Sequence, residues 1–314
     1  KLYGLLFGQF ESQLEGVRHL IVVPDGGLQS LPIGVLVTDN PEGEIKDLAG
    51  YRNVPWLAKR YALTVLPSVS SLKALRRFTG STHANNPFIG FGNPILEGYP
   101  GNRGVSQIAS FFDSRGGGLA DPQMVKQLGA LPETADELIA LAESLEANPD
   151  SVFLGSRATE AVLKGLNLSD YRVIAFATHG LMAGDFKGLG EPALVLTPPD
   201  VASELDDGLL MVSEIARLKL NADIVILSAC NTAASDGAPG AEGLSGLAKS
   251  FFFAGSRALL VSHWAVFSDA SVQLTTQMFE ATALNPDIGY AEALRRSMLA
   301  MMETEGKDHF AHPM

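Results

Sequence analysis

One cysteine, Cys230, stands in 314 residues. That excludes an intrachain disulfide and any site built from two thiolate ligands. Basic residues are also scarce: 23 Lys and Arg against 35 Asp and Glu give a formal net charge of −12. A nucleic-acid surface needs clustered Lys and Arg, so no nucleic acid is expected as a direct partner. No apolar run approaches the roughly 20 residues of a membrane-spanning helix, and no basic-then-apolar leader opens the chain. No membrane partner is expected. The histidines at 19, 83, 309 and 312 are scattered and share no ligand spacing with Asp or Glu, so neither a metal nor a cofactor is expected. No internal repeat of solenoid length is present.

What the chain does have is apolar content, 46 % of residues, enough for a sizeable core. Its length allows one large domain or two smaller ones. In the first half, "HLIVVPDG" (19–26) reads as a strand ending in a turn, "YALTVLPS" (61–68) as a strand followed by a helix that Ser68 caps, and "PFIGFGNP" (87–94) as a buried strand. A polar, Gly-rich loop follows over 95–125. It is the expected boundary between an N-terminal part, 1–125, and a second part, 126–314.

The second half alternates more regularly. "LPETADELIALAESL" reads as a helix opening behind Pro132, "SVFLGS" as a strand, "RATEAVLKGL" as a helix, and "YRVIAFATHG" and "PALVLTPP" as strands. "VSEIARLKL" reads as a helix, "DIVILSAC" as a strand, "AEGLSGLAKSFFFAG" as a helix closed by Gly255, and "RALLVSHW" as a strand before two final helices. Continuous apolar strands alternating with helices specify a parallel sheet covered on both faces. The fold class is α/β.

In open parallel sheets, ligands bind beyond the carboxyl ends of the strands. Two reactive residues fall there: His179 after "VIAFAT" and Cys230 after "VILSA", 51 positions apart. Neighbouring parallel strands would bring them together. A thiol needs a base or a positive charge nearby to react at neutral pH, and an imidazole can take its proton and later return one to a leaving amine. The N–H groups of Gly180 and Cys230 are expected to form an oxyanion hole. Either residue alone has an ordinary reading, since a cysteine ending a buried strand is commonly an inert small hydrophobe. It is the conjunction that points to chemistry.

"FATHG", "LSACNTA" and "GAEGLSGLAKSFFFAGSRALLVSHWAV" resemble the CHAT family of caspase-like domains, often attached to tetratricopeptide repeats and akin to separase, gingipain and clostripain. "HLIVVPDGGLQSLPIGVL", "LPETADEL" and "RATEAVLK" extend the resemblance over nearly the whole chain. It implies a caspase-like three-layer fold, with a mainly parallel central sheet and helices on both faces. Residues 1–125 would form a pseudo-caspase-like subdomain and 126–314 the catalytic part. It implies His179 as catalytic histidine and Cys230 as nucleophile of a cysteine endopeptidase that takes a protein or peptide substrate. The full protein is expected to carry helical repeats before Lys1 and one more apolar strand after "FAHPM". Its compartment is expected to be the cytoplasm, or the periplasm if a signal precedes this segment. Upstream repeats or a regulatory protein partner are expected to gate the activity.

The departures bear on specificity. Ser228, two positions before Cys230, replaces the Gln of caspases and the Asp of many metacaspases. "SHWAVFSDAS" resembles the family's tryptophan-containing segment, which implies that Ser262 and Trp264 border the bound substrate, whose backbone adds to the sheet edge. Asp269 either contacts a basic substrate side chain or caps the helix that follows. Glu242 either orients the adjoining "ASDGAPGA" loop, expected to wall the specificity pocket over 233–241, or acts as a capping carboxylate. His263 is a second base or a packed core histidine. Arg115 in "SRGGGL" offers a self-cleavage site. "GLSGLAKS" lacks the last glycine of a phosphate loop, and its Ser245 does not fit G-x-S-x-G. The rival to the peptidase reading is a catalytically silent scaffold for protein interaction.

Overall fold

A computed structural model describes residues 1–41, 43–77, 84–99, 118–185, 188–228, 243–262 and 268–311. In chain order the strands are β1 (His19–Val22), β2 (Ala62–Val65), β3 (Asn86–Gly92), β4 (Val152–Leu154), β5 (Tyr171–Ala177), β6 (Gly180–Leu181), β7 (Ala193–Val195), β8 (Leu209–Met211), β9 (Ile224–Leu227) and β10 (Leu259–Val261). The α-helices are α1 (Leu2–Leu6), α2 (Leu57–Arg60), α3 (Val69–Arg77), α4 (Pro122–Lys126), α5 (Glu133–Ser144), α6 (Glu160–Gly165), α7 (Val212–Ile215), α8 (Gly243–Ala254), α9 (Ser268–Leu284) and α10 (Tyr290–Met302). Among the described residues, no helix is long and apolar enough to cross a membrane.

Contacts divide the chain into two compact units, Lys1–Lys73 with Asp269–Met314, and Ala74–Ser268. In the first, β1 and β2 pair in parallel, with His19 opposite Ala62. Tyr3, Leu20, Ile33, Leu36, Leu57 and Tyr61 form its buried cluster. The Arg52 guanidinium donates to the carbonyls of Met302 (2.6 Å) and Thr304 (3.0 Å), tying down the end of α10.

The second unit holds a five-stranded sheet in the order β10-β9-β5-β3-β4. Every pairing in it is parallel. This is the mainly parallel central sheet of an α/β fold, with helices on both faces. Its apolar runs are continuous because both faces are buried. Ile89, Phe91, Ile174, Phe176, Val225 and Leu227 point to one face, where Leu163 of α6, Ile215 of α7, and Leu247 and Phe251 of α8 pack on them.

The opposite face receives α5. Gly90 and Gly92 make this approach possible: a Cβ on either would come within 2.9 Å or 2.7 Å of Leu138. Thr134 fixes the start of α5, since its Oγ1 accepts the Asn93 N–H at 2.9 Å and donates to the Leu131 carbonyl at 2.7 Å. Gly255 closes α8 as the sequence indicates. Its φ is +114°, and a Cβ there would lie 2.3 Å from the Leu220 carbonyl oxygen.

Two readings of the sequence need correcting. "PALVLTPP" does form a strand, β7, but outside the central sheet. It lies in a three-stranded sheet, β6-β7-β8, whose pairings are antiparallel. The reason is local: β6 starts directly after His179, and the chain doubles back so that Gly180 faces Leu194. The helix read over "VSEIARLKL" is also shorter, ending at Ile215. The position 125/126 lies inside the second unit. There Val125 is buried in one cluster with Leu96, Leu128, Leu181, Val195 and Leu209, so apolar packing runs across it.

Candidate active site

β5 leads into Thr178 and His179, both buried. Thr178 Oγ1 donates to the Val195 carbonyl at 2.6 Å, and the Val195 N–H donates to the His179 carbonyl at 2.9 Å. The main chain that carries the imidazole is thereby fastened to β7. The residue is 7 % exposed, and its Nε2 lies 2.7 Å from the carbonyl oxygen of Gly129. A carbonyl accepts hydrogen bonds and cannot donate them. Nε2 therefore carries a proton, and in the neutral ring Nδ1 keeps the lone pair.

The sequence dictates where the Gly129 carbonyl sits. Asp121 caps α4 by accepting the Gln123 N–H at 2.9 Å, and Pro122 opens the helix. The segment after α4 runs beside Glu97 and Gly98. Gly98 donates to the Leu128 carbonyl at 3.0 Å and accepts from the Ala130 N–H at 3.1 Å, forming an isolated parallel bridge with Gly129. A Cβ on Gly98 would lie 2.4 Å from the Gln127 carbonyl oxygen and 2.6 Å from that of Leu128. Only glycine allows this approach without a shift of the backbone.

β9 is the neighbour of β5, and the two pair in register up to Phe176 opposite Leu227. The Ser228 N–H continues the ladder by donating to the Phe176 carbonyl at 2.9 Å. The Ser228 hydroxyl donates to Glu137 Oε2 at 2.9 Å. Glu137 is 2 % exposed, and its Oε1 has no hydrogen-bond partner among the described residues. Burial pushes the Glu137 carboxyl up to about 7, the Ser228 hydrogen bond works against that rise, and the charge of Glu133 adds to it.

The remaining candidates fall as follows. Gly180 opens β6 opposite Leu194. Ser262 directly follows β10 and is half-buried. Asp269 lies in the first turn of α9 rather than before it, and its carboxylate pairs with Lys307 at 3.2 Å and His309 at 3.5 Å. Burial works to raise its pKa, but the hydrogen bonds and charges of Lys307 and His309 outweigh that and hold it low. Cys230, Glu242 and Trp264 lie outside the described residues, as do His263, Arg115 and the loop 233–241. Among the described residues, no group of three or more His, Cys, Asp or Glu could hold a metal ion.

Three contributors escaped the sequence reading: Gly98, Gly129 and Glu137. Gly129 acts through its main chain, so its side chain gives no sign. Glu137 did leave a signal, a carboxylate within the stripe of Thr134, Leu138 and Leu141 that α5 buries. A family model of the CHAT domain matches residues 1–314, the whole chain. No curated protein matches it.

Proposed function

Because this chain belongs to the CHAT domain family, which is caspase-like, we propose that it is a cysteine endopeptidase working through His179 and Cys230. The observation that carries this reading is the hydrogen bond between His179 Nε2 and the Gly129 carbonyl, at 2.7 Å. It reserves Nδ1 for proton transfer and holds the ring against rotation. Register supports the pairing with Cys230. Counting three residues on from Phe176 and Leu227, the last paired positions of β5 and β9, reaches His179 on one side and Cys230 on the other.

In the proposed reaction Nδ1 takes the proton of the Cys230 thiol, and the thiolate sulfur adds to the scissile carbonyl carbon. The N–H groups of Gly180 and Cys230 hold the oxyanion. The C–N bond breaks as Nδ1 returns the proton to the leaving amine, and a thioester remains. Nδ1 then takes a proton from water, the hydroxide oxygen adds, and the C–S bond breaks to release an acid and restore the thiol. Ser262 and Trp264 would border the substrate. Gating by upstream repeats or a protein partner belongs to the same proposal, because an ungated peptidase would damage its own cell.

The test is a peptide-library cleavage assay on the protein with its upstream sequence restored. Wild type should cleave. Cys230→Ala should abolish cleavage, and His179→Ala should lower it by at least about 10²-fold, the usual contribution of a positioned acid–base group. Cleavage that persists unchanged in Cys230→Ala refutes the assignment. A wild type that cleaves nothing under any condition tried favours the silent scaffold.

A further inference from the structure

Glu137 is a buried carboxyl that the proposed reaction does not use. The buried face of a helix rarely carries one, since an ionisable group away from water must be paired or neutral. Here three independent features bring it to the end of the nucleophile strand. Gly90 and Gly92 let α5 lie close on the sheet. Thr134 pins the helix start to Asn93, just past β3. Ser228 completes the approach by donating to Oε2 at 2.9 Å. Ser228 is also the first residue beyond β9, and its N–H is held by the Phe176 carbonyl of β5. Its main chain and side chain are thus fixed from two directions, by β5 and by α5.

We propose that Glu137 is a positioning residue: through the Ser228 hydroxyl it sets where the chain leaves the sheet two residues before Cys230, and so aligns the thiol with His179. The proposal rests on the reading of Cys230 as nucleophile and His179 as its base. Glu137 touches neither substrate nor the reacting atoms. A protonated carboxyl serves this purpose as well as an ionised one, because Oε2 accepts in both forms. Glutamine, with an amide oxygen in the same place, should replace it. Methionine, of similar length but with only a weak sulfur acceptor, should not.

The sole cysteine makes the experiment clean, since iodoacetamide labelling of the chain reports on Cys230 alone. Labelling rates would be measured from pH 6 to 9 for wild type, Glu137→Gln, Glu137→Met, Ser228→Ala and His179→Ala, with circular dichroism to establish folding. A thiol out of line with its base should react about tenfold more slowly at neutral pH. We expect that loss in Glu137→Met and Ser228→Ala, with their pH profiles moved toward that of an ordinary thiol, and near-wild-type labelling in Glu137→Gln. A folded Ser228→Ala with the wild-type rate and profile overturns the proposal, as does a Glu137→Gln as slow as Glu137→Met. Should Glu137→Met fail to fold, Ser228→Ala decides, because it removes one oxygen from a half-buried site. The parent reading fails separately, if His179→Ala labels like wild type.

Discussion

The Nε2 atom of His179 and the carbonyl oxygen of Gly129 stand 2.7 Å apart. The two residues are 50 positions apart in sequence, and the contact forms because Gly98 lets the segment after α4 pass close by. A main-chain carbonyl at this distance sets which ring nitrogen carries the proton, because it can only accept.

Gly98→Ala should therefore disable the site from a distance. The added Cβ would sit within 2.6 Å of two carbonyl oxygens, and relief of that overlap must move the strip that carries Gly129. We expect a stability loss of about 1–3 kcal/mol and labelling of Cys230 slowed about tenfold. Gly165→Ala is the control. Nothing lies within 4 Å of its added Cβ, and labelling should not change.

The loop before β8 hangs on a buried ion pair. Lys164 Nζ donates to Glu160 Oε1 at 2.8 Å and to Glu214 Oε1 at 2.7 Å, while Glu160 Oε2 accepts the N–H groups of Asp207 and Gly208 at 2.8 Å each. Glu160 is 1 % exposed and Lys164 16 % exposed. Burial already pushes the Glu160 carboxyl up to about 7 against the pull of Lys164, so Lys164→Met lets it take up a proton and should cost about 1–3 kcal/mol in urea unfolding, the loss of its buried hydrogen bond. Arg296→Ala breaks a pair with Glu292 that is 49 % exposed on the arginine side, and should cost under about 1 kcal/mol.

Stability should fall with rising pH on account of Glu137. The native carboxyl keeps its proton up to about 7, whereas an ordinary glutamate loses it near 4.5. Between these values the native state binds the extra proton, so raising the pH through this window favours unfolding. Glu133 is the charged neighbour that strengthens the effect. Of the elements packed on α5, β3 and β4 carry no titratable side chain. Tyr171 and Arg172 lie at the opposite end of β5 from Ser228, and Asp150 is exposed. Glu137→Gln, neutral throughout, should gain stability relative to wild type as the pH is raised from 5 to 8 in thermal unfolding. A constant difference between the two would contradict the assignment.

The fold was legible where apolar runs were continuous. "YRVIAFA", "DIVIL" and "PFIGFG" became adjacent central strands because a strand buried on both faces has no room for polar residues. That the strand before His179 neighbours the strand before Cys230 could be expected the same way, from two reactive residues each following such a run. "PALVLTPP" misled because an apolar run does not encode the direction of its partner, and β6 was too short at two residues to show a pattern. Asp269 has the composition of a helix cap, yet Lys307 and His309, distant in sequence, take up its carboxylate. The Gly129 carbonyl was invisible, since main-chain oxygens belong to every residue and only the fold selects one.

The most direct test of the central claim is the pH dependence of Cys230 alkylation in wild type and His179→Ala. The account predicts that the wild-type thiol labels readily well below the ordinary thiol pKa of about 8.5, and that the variant's profile moves up to that value. Superimposable profiles, both centred near the ordinary value, would contradict it.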